Sequence, residues 1–141
     1  MSPTAAPVVL PPSNARHLEL RFNDIGEPRP GLTEPDKSHV AAMLAHAKSV
    51  DLEDTVLVHC WAGVSRSPAG AFILACARSE RGMEPIIARR LRQAAPYATP
   101  NPRMIALADA LLDRGGAMIE AIAAIGRGSE TAWGSAFELE Y

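Results

Sequence analysis

The residues best suited to chemistry lie together in one short stretch of the chain. Positions 59–68 read His-Cys-Trp-Ala-Gly-Val-Ser-Arg-Ser-Pro, so five residues separate Cys60 from Arg66. The stretch follows a short apolar run and precedes a helical pattern, which predicts a loop between a strand and a helix. A cysteine thiolate is a nucleophile and a guanidinium binds oxyanions, so the pair indicates covalent chemistry on an anionic substrate.

The setting of this loop adds a second argument for an anion site. Successive N–H groups of a short loop can converge on one point, and the following helix contributes its own free donors and the positive end of its dipole. Gly63 permits tight curvature of the backbone. The field that binds an oxyanion also stabilises a thiolate, so we expect the pKa of Cys60 to lie below its usual value of about 8.5.

The same residues resemble the signature of the cysteine-dependent protein tyrosine phosphatases, which runs His-Cys, five residues, Arg-Ser. The residues at positions 59–68 look most like those of the dual-specificity branch and its small bacterial members. Two other pieces are similar to that branch: Arg-Phe-Asn-Asp-Ile at positions 21–25 and Pro-Asn-Pro-Arg at positions 100–103. The resemblance covers residues 17–125 and implies hydrolysis of phosphotyrosine, with phosphoserine and phosphothreonine as further candidate substrates.

The resemblance also implies a role for each matching residue. Cys60 would be the nucleophile that forms a phosphocysteine intermediate. Asp24 would protonate the leaving oxygen and then activate water. Ser67 would hydrogen-bond the sulfur and ease its departure, and His59 would orient the loop from behind and help to lower the cysteine pKa. The phosphoryl oxygens would be bound by the backbone and side chains of one run of residues, namely Trp61, Ala62, Gly63, Val64, Ser65 and Arg66.

Several alternatives remain beside this interpretation. Asp36 and Glu27 are carboxylates near Asp24 and compete with it for the role of acid.

The fold could serve as a phosphate-binding pseudophosphatase or interaction module, or as a rhodanese-like sulfurtransferase. Phosphoinositide hydrolysis is a further possibility, but the loop contains no lysine for additional phosphates. Cys76 lies in an apolar helical run and is interpreted as a core residue. The alternative interpretation is that it acts as a redox partner of Cys60.

The elements around the loop predict a small α/β fold. Residues 18–22 alternate apolar and charged side chains, and residues 55–59 form a continuous apolar run typical of a strand buried on both faces. Thr33, with Asp36 three residues later, is expected to form the capping box of a first helix. Further helical patterns cover residues 68–77, 84–95, 102–114 and 117–125. The prediction is therefore a small or trimmed central sheet flanked by helices, with the phosphate-binding loop between a buried strand and a helix.

The predicted organisation has three parts. A proline-rich segment covers residues 1–16, the phosphatase-like α/β domain covers residues 17–125, and a tail over residues 126–141 packs on the domain or extends from it. Family members usually carry another strand and helix before the strand at Leu18, so their absence here predicts a trimmed sheet.

Composition narrows the classes of partner. The formal net charge is −2, which argues against a protein that coats nucleic acid. No apolar run reaches the length of about 18 residues that a membrane span needs, and no secretory signal is visible, so a cytoplasmic protein is expected. The expected partner is a phosphorylated protein or a small phosphate monoester. The histidines show no metal-ligand spacing, and neither a metal nor a cofactor is predicted.

Overall fold

The computed structural model describes residues 17–141, and this part of the chain contains five helices. The predicted proline-rich segment, residues 1–16, lies outside the described residues. The helices are α1 Lys37–Lys48, α2 Arg66–Ala77, α3 Glu84–Ala94, α4 Pro102–Leu111 and α5 Ala117–Ile125.

The prediction of an α/β fold with a central sheet is wrong for the described part of the chain, because no residue between 17 and 141 belongs to a strand. Leu57, at the centre of the predicted buried strand, is 79% exposed. The backbone of residues 55–59 makes no hydrogen bond within the described residues. A β-branched apolar run favours a strand only where a neighbouring backbone supplies the ladder of hydrogen bonds, and local sequence does not specify that neighbour.

The first helix begins at a different cap from the expected one. Asp36, and not Thr33, is the N-cap of α1, and its carboxylate accepts hydrogen bonds from the backbone N–H groups of Ser38 and His39. His39 completes the capping box by accepting from the backbone N–H of Asp36 at 3.2 Å. The carboxylate of Asp36 is thereby used to cap the start of α1.

Helix α2 is the centre of the fold. It packs against α1, α3 and α4, while α5 covers α3 and α4. Ala69, Phe72, Ile73 and Cys76 on this helix are completely buried. Because the predicted anion-binding loop leads directly into α2, that loop lies at the N-terminus of the helix that has the most buried residues in the described part of the chain.

Both ends of α2 are held by specific contacts. Near the N-terminus, a Cβ atom added to Gly70 would lie 2.9 Å from Cγ1 of Val58, so glycine allows the segment before Cys60 to pack closely on the helix. At the other end, Arg114 donates to the backbone carbonyl of Cys76 at 2.5 Å and to the carboxylate of Glu84 at 2.6 Å. The loop therefore has a rigid base.

None of the helices in residues 17–141 has both the length and the hydrophobicity required to cross a bilayer.

Candidate active site

The loop from Cys60 to Arg66 is held from outside through its carbonyl groups. The backbone N–H of Gly134 donates to the carbonyl of Ala62 at 2.8 Å, and that of Thr99 donates to the carbonyl of Val64 at 2.9 Å. The carbonyl of Ser65 accepts from the N–H of Asn101 at 3.3 Å. In a trans peptide the N–H points opposite to the C=O. Carbonyls that bond outward therefore turn the adjacent N–H groups toward the inside of the loop.

Most of these inward N–H groups have no acceptor. Within residues 17–141, Gly63 is the exception, and its N–H donates to the Cys60 sulfur at 3.3 Å. Gly63 adopts a φ of +75°, a left-handed conformation that favours glycine. The loop residues whose backbone N–H has no acceptor among the described residues are Trp61, Ala62, Val64, Ser65 and Arg66. The two free donors that the outward carbonyls turn inward, those of Ser65 and Arg66, have the form of an anion-binding nest.

The thiol of Cys60 lies at the open end of this nest and is half-buried. Burial acts to raise its pKa, but a hydrogen bond from the Ser67 hydroxyl, backbone N–H donors and the charge of Arg66 outweigh that effect. The net result is a pKa below the usual value for cysteine. The two atoms involved, Oγ of Ser67 and Sγ of Cys60, are 3.2 Å apart. The site thus favours the nucleophilic thiolate form.

Arg66 is buried at the closing end of the loop, with 8% of its surface exposed. Its Nη1 donates to the backbone carbonyl of Phe22 at 2.9 Å, which anchors the guanidinium to the segment before Asp24. Its Nε is buried and has no hydrogen-bond partner among residues 17–141. A buried donor without an acceptor is costly, so an oxyanion in the loop would satisfy both the arginine and the free backbone N–H groups.

Asp24 is brought to the loop from a distant part of the sequence. Its Oδ1 accepts a hydrogen bond from the Ser65 hydroxyl at 2.8 Å. Ser65 is the N-cap position of α2, yet its side chain makes no capping hydrogen bond and binds Asp24 instead. A carboxyl group is thereby placed against the same loop that carries the thiol and the buried arginine.

The two competing carboxylates lie in different surroundings. Asp36 caps α1, and hydrogen bonds from Ser38 and His39 lower its pKa. A carboxylate held in its ionised form is a poor proton donor. Glu27 is exposed and forms no ion pair or side-chain hydrogen bond within the described part of the chain. Of the three candidates, Asp24 alone contacts the loop.

His59 directly precedes Cys60 and is half-buried. Among residues 17–141 it forms no side-chain hydrogen bond, and the groups that shift the Cys60 pKa do not include it. Its expected role in orienting the loop therefore stays a prediction.

Sequence reasoning missed the role of Asn101, which is 2% exposed. Its Nδ2 donates to Oδ1 of Asp24 at 2.8 Å, and its Oδ1 accepts from the backbone N–H of Met104 at 3.1 Å. The same side chain therefore caps α4 and holds the candidate acid. The capping role is visible in the sequence, since asparagine precedes a proline and a helical pattern. The contact with Asp24 spans 77 positions and has no local signal.

The C-terminal tail also reaches the loop. Gly134 donates to the loop backbone, and a Cβ on Gly63 would lie 3.6 Å from the Cα of Gly134. Trp133 packs on Trp61 with ring centroids 5.9 Å apart, although each side chain stays about 60% exposed. The hydroxyl of Tyr97 donates to the carbonyl of Ser135. These contacts make the tail part of the wall around the site.

A cavity of about 730 Å³ opens between Asp24 and this tail. Asp24, Ser65 and Asn101 line one side of it, and residues 127–132 line another. Cys60 and Arg66 are not among its lining residues, so the cavity adjoins the loop on the Asp24 side. It has room for an organic group attached to a phosphate bound in the loop.

No group of three or more histidine, cysteine or acidic side chains suited to a metal ion occurs within residues 17–141.

Comparisons of the chain with protein-family models, with curated proteins and with solved structures find no match.

The lowered pKa of Cys60 leads to a test by chemical modification. Iodoacetamide reacts with thiolates, so the rate of Cys60 alkylation against pH should reach half its maximum below the pH expected for a free cysteine. Replacing Ser67 by alanine removes a hydrogen bond to the sulfur and should move this midpoint upward. The measurement is mass spectrometry of the modified peptide at a series of pH values.

Cys76 is the internal control for this experiment. It is completely buried, and burial, followed by the charge of Glu84, raises its pKa to about 12. The native protein should therefore be alkylated at Cys60 and not at Cys76. Equal labelling of both cysteines, or an unchanged midpoint in Ser67→Ala, would contradict the electrostatic description of the loop.

Proposed function

We propose that the chain is a cysteine-dependent phosphatase that hydrolyses phosphate monoesters, with phosphotyrosine as the leading substrate and phosphoserine and phosphothreonine as further ones. The observation that carries this proposal is the placement of a thiol of lowered pKa in a loop where five backbone N–H groups have no acceptor among residues 17–141. Such a loop binds a phosphoryl group and supplies the nucleophile that attacks it. The buried Nε of Arg66, which has no partner in the part of the chain that the structure describes, supports the same conclusion.

In the first step, the phosphoryl oxygens lie among the loop N–H groups and the guanidinium of Arg66. The Cys60 thiolate attacks phosphorus, the new S–P bond forms, and the P–O bond to the leaving group breaks. Asp24 gives its proton to the leaving oxygen, so the organic product departs as a neutral alcohol or phenol. The donors of the loop stabilise the charge on the equatorial oxygens in the transition state.

In the second step, water replaces the organic product. The Asp24 carboxylate accepts a proton from this water as its oxygen attacks phosphorus. The S–P bond breaks, the electron pair returns to sulfur, and inorganic phosphate is released. Ser67, 3.2 Å from the sulfur, donates a hydrogen bond to the departing thiolate and lowers the barrier to its release.

The surroundings of Asp24 support a substrate larger than phosphate itself. The leaving oxygen must lie within hydrogen-bond reach of the acid, so the body of the leaving group extends into the adjoining cavity. Its volume of about 730 Å³ exceeds what a phenol ring requires and leaves space for neighbouring parts of a peptide. A phosphorylated side chain of a protein fits this description.

The decisive experiment is hydrolysis of p-nitrophenyl phosphate with a chelator present, followed by acid quenching and mass spectrometry of the peptide containing Cys60. Turnover together with a phosphate adduct on Cys60 is the expected result. Binding of phosphate without turnover would favour the pseudophosphatase alternative. Transfer of sulfur from thiosulfate to cyanide, without release of p-nitrophenol, would favour the sulfurtransferase alternative. A panel of phosphotyrosine, phosphoserine and phosphothreonine peptides then separates the candidate substrates.

A further inference from the structure

The orientation of the Asn101 amide follows from its hydrogen-bond partners. The oxygen and nitrogen of an asparagine amide look alike, and its orientation has to be assigned from its partners. Here the backbone N–H of Met104 can only donate, so the asparagine atom that faces it must be the oxygen. The amide nitrogen is therefore the atom that faces Asp24. A second acceptor, the carbonyl of Ile25 at 3.4 Å, lies on the same nitrogen.

The hydrogen bonds on Asp24 are distributed unequally between its two oxygens. Oδ1 accepts from Ser65 Oγ and from Asn101 Nδ2, both at 2.8 Å. A carboxyl oxygen has two lone pairs, and both lone pairs of Oδ1 are then occupied. Within the described residues, Oδ2 has no hydrogen-bond partner. A proton taken up by this carboxyl group consequently belongs on Oδ2.

We propose that Asn101 is a positioning residue that, together with Ser65, fixes Oδ2 of Asp24 as the oxygen that delivers the proton to the leaving group. The proposal rests on the phosphatase function proposed above and adds to it the group that aims the acid. Asn101 is suited to this task because its burial and its backbone contacts hold the amide in place. Ser65 belongs to the phosphate-binding loop and donates to Asp24. The position of the acid is therefore fixed relative to the phosphoryl group that the loop binds.

This arrangement makes a prediction that separates positioning from stability. In Asn101→Ser, the serine hydroxyl can still cap α4, because serine and asparagine are comparable N-caps. Its side chain is too short to reach Asp24, so Oδ1 loses one of its two donors. Turnover of a phosphotyrosine peptide, whose leaving group needs protonation, should fall by up to about 10²-fold, the loss that misplacement of a reacting group can cause. Turnover of p-nitrophenyl phosphate should change far less.

The measurements are kcat for the two substrates, the alkylation rate of Cys60, and the melting temperature of each variant. Asn101→Ser should leave the alkylation rate unchanged, since Asn101 does not contact the thiol. In an Asp24→Asn background it should cause no further loss, because there is no acid left to aim. If Asn101→Ser does not fold, Asn101→Thr also keeps a hydroxyl that can cap α4 and fills more of the side-chain volume. Its side chain is likewise too short to reach Asp24, so it should give the same substrate dependence.

Each remaining outcome has a clear meaning. Equal losses on both substrates, or a full additional loss in the Asp24→Asn background, would show that Asn101 acts only through stability or on the loop itself, and would overturn the proposal. If the unaltered protein hydrolysed neither substrate, the proposed phosphatase function itself would be refuted. That result needs no Asn101 variant, so it is distinct from a failure of the positioning role.

Discussion

Replacing Cys60 by serine should abolish turnover and leave phosphate binding intact. The serine hydroxyl is protonated at neutral pH and is a far weaker nucleophile than a thiolate. The free backbone N–H groups and Arg66 remain in place, so the loop still binds a tetrahedral anion. Binding should even strengthen slightly, because the neutral hydroxyl does not repel the anion as a thiolate does. Hydrolysis of p-nitrophenyl phosphate and calorimetric titration with inorganic phosphate measure the two effects separately.

The matched control is Cys76→Ser, which alters the other cysteine of the chain. Cys76 is buried in the core and lies outside the loop, so its replacement should affect stability more than turnover at a temperature where the variant is folded. Appreciable hydrolysis by Cys60→Ser would refute the covalent mechanism. Loss of phosphate binding in the same variant would show that the loop had collapsed.

Asp24→Asn should lower kcat by about 10²–10⁴-fold for substrates with a poor leaving group, the range typical for loss of a general acid. Asparagine keeps the size of the side chain but cannot transfer a proton. An aryl phosphate with a strongly acidic phenol needs little protonation and should be affected much less. The measurement is kcat for a series of aryl phosphates, plotted against the acidity of the leaving phenol. The slope should steepen in the variant.

Two other carboxylates provide the controls for this experiment. Asp36→Asn should keep the slope of the unaltered protein, because asparagine can also cap α1. Glu27→Gln should do the same, since Glu27 has no contact with the loop. A steeper slope in either of these variants, with an unchanged slope in Asp24→Asn, would transfer the role of acid to another residue while leaving the assignment of Cys60 and Arg66 untouched.

The parts of the site that sequence could predict are those that lie close together along the chain. The loop from Cys60 to Ser67 consists of consecutive residues, and the approach of Ser67 to the sulfur follows from the loop leading directly into α2. Asp24 came from the resemblance, since no spacing rule connects it with Ser65, 41 positions away. Long-range hydrogen bonds of this kind depend on how the helices pack, which local patterns do not determine.

The fold was the less predictable part. The helical patterns correctly indicated the five helices of the described part of the chain, with shifts at their ends, because amphipathic periodicity and capping are local properties. The sheet was wrong for residues 17–141, because strand formation depends on a partner as well as on composition. Leu57 illustrates this dependence on a partner, because it is an apolar residue in a β-branched run and is nevertheless 79% exposed. The contact between Gly134 and the loop was equally invisible, since a glycine carries no hydrophobic signal.

The pairing of Trp61 with Trp133 has a practical consequence. The chain contains two tryptophans, and both lie where the tail meets the loop. Indole fluorescence from this protein therefore originates entirely at the rim of the candidate site. The emission spectrum is an intrinsic optical signal of that junction, available without any label. Quenching or a wavelength shift on adding an oxyanion would follow events in the loop directly, with no background from the rest of the fold.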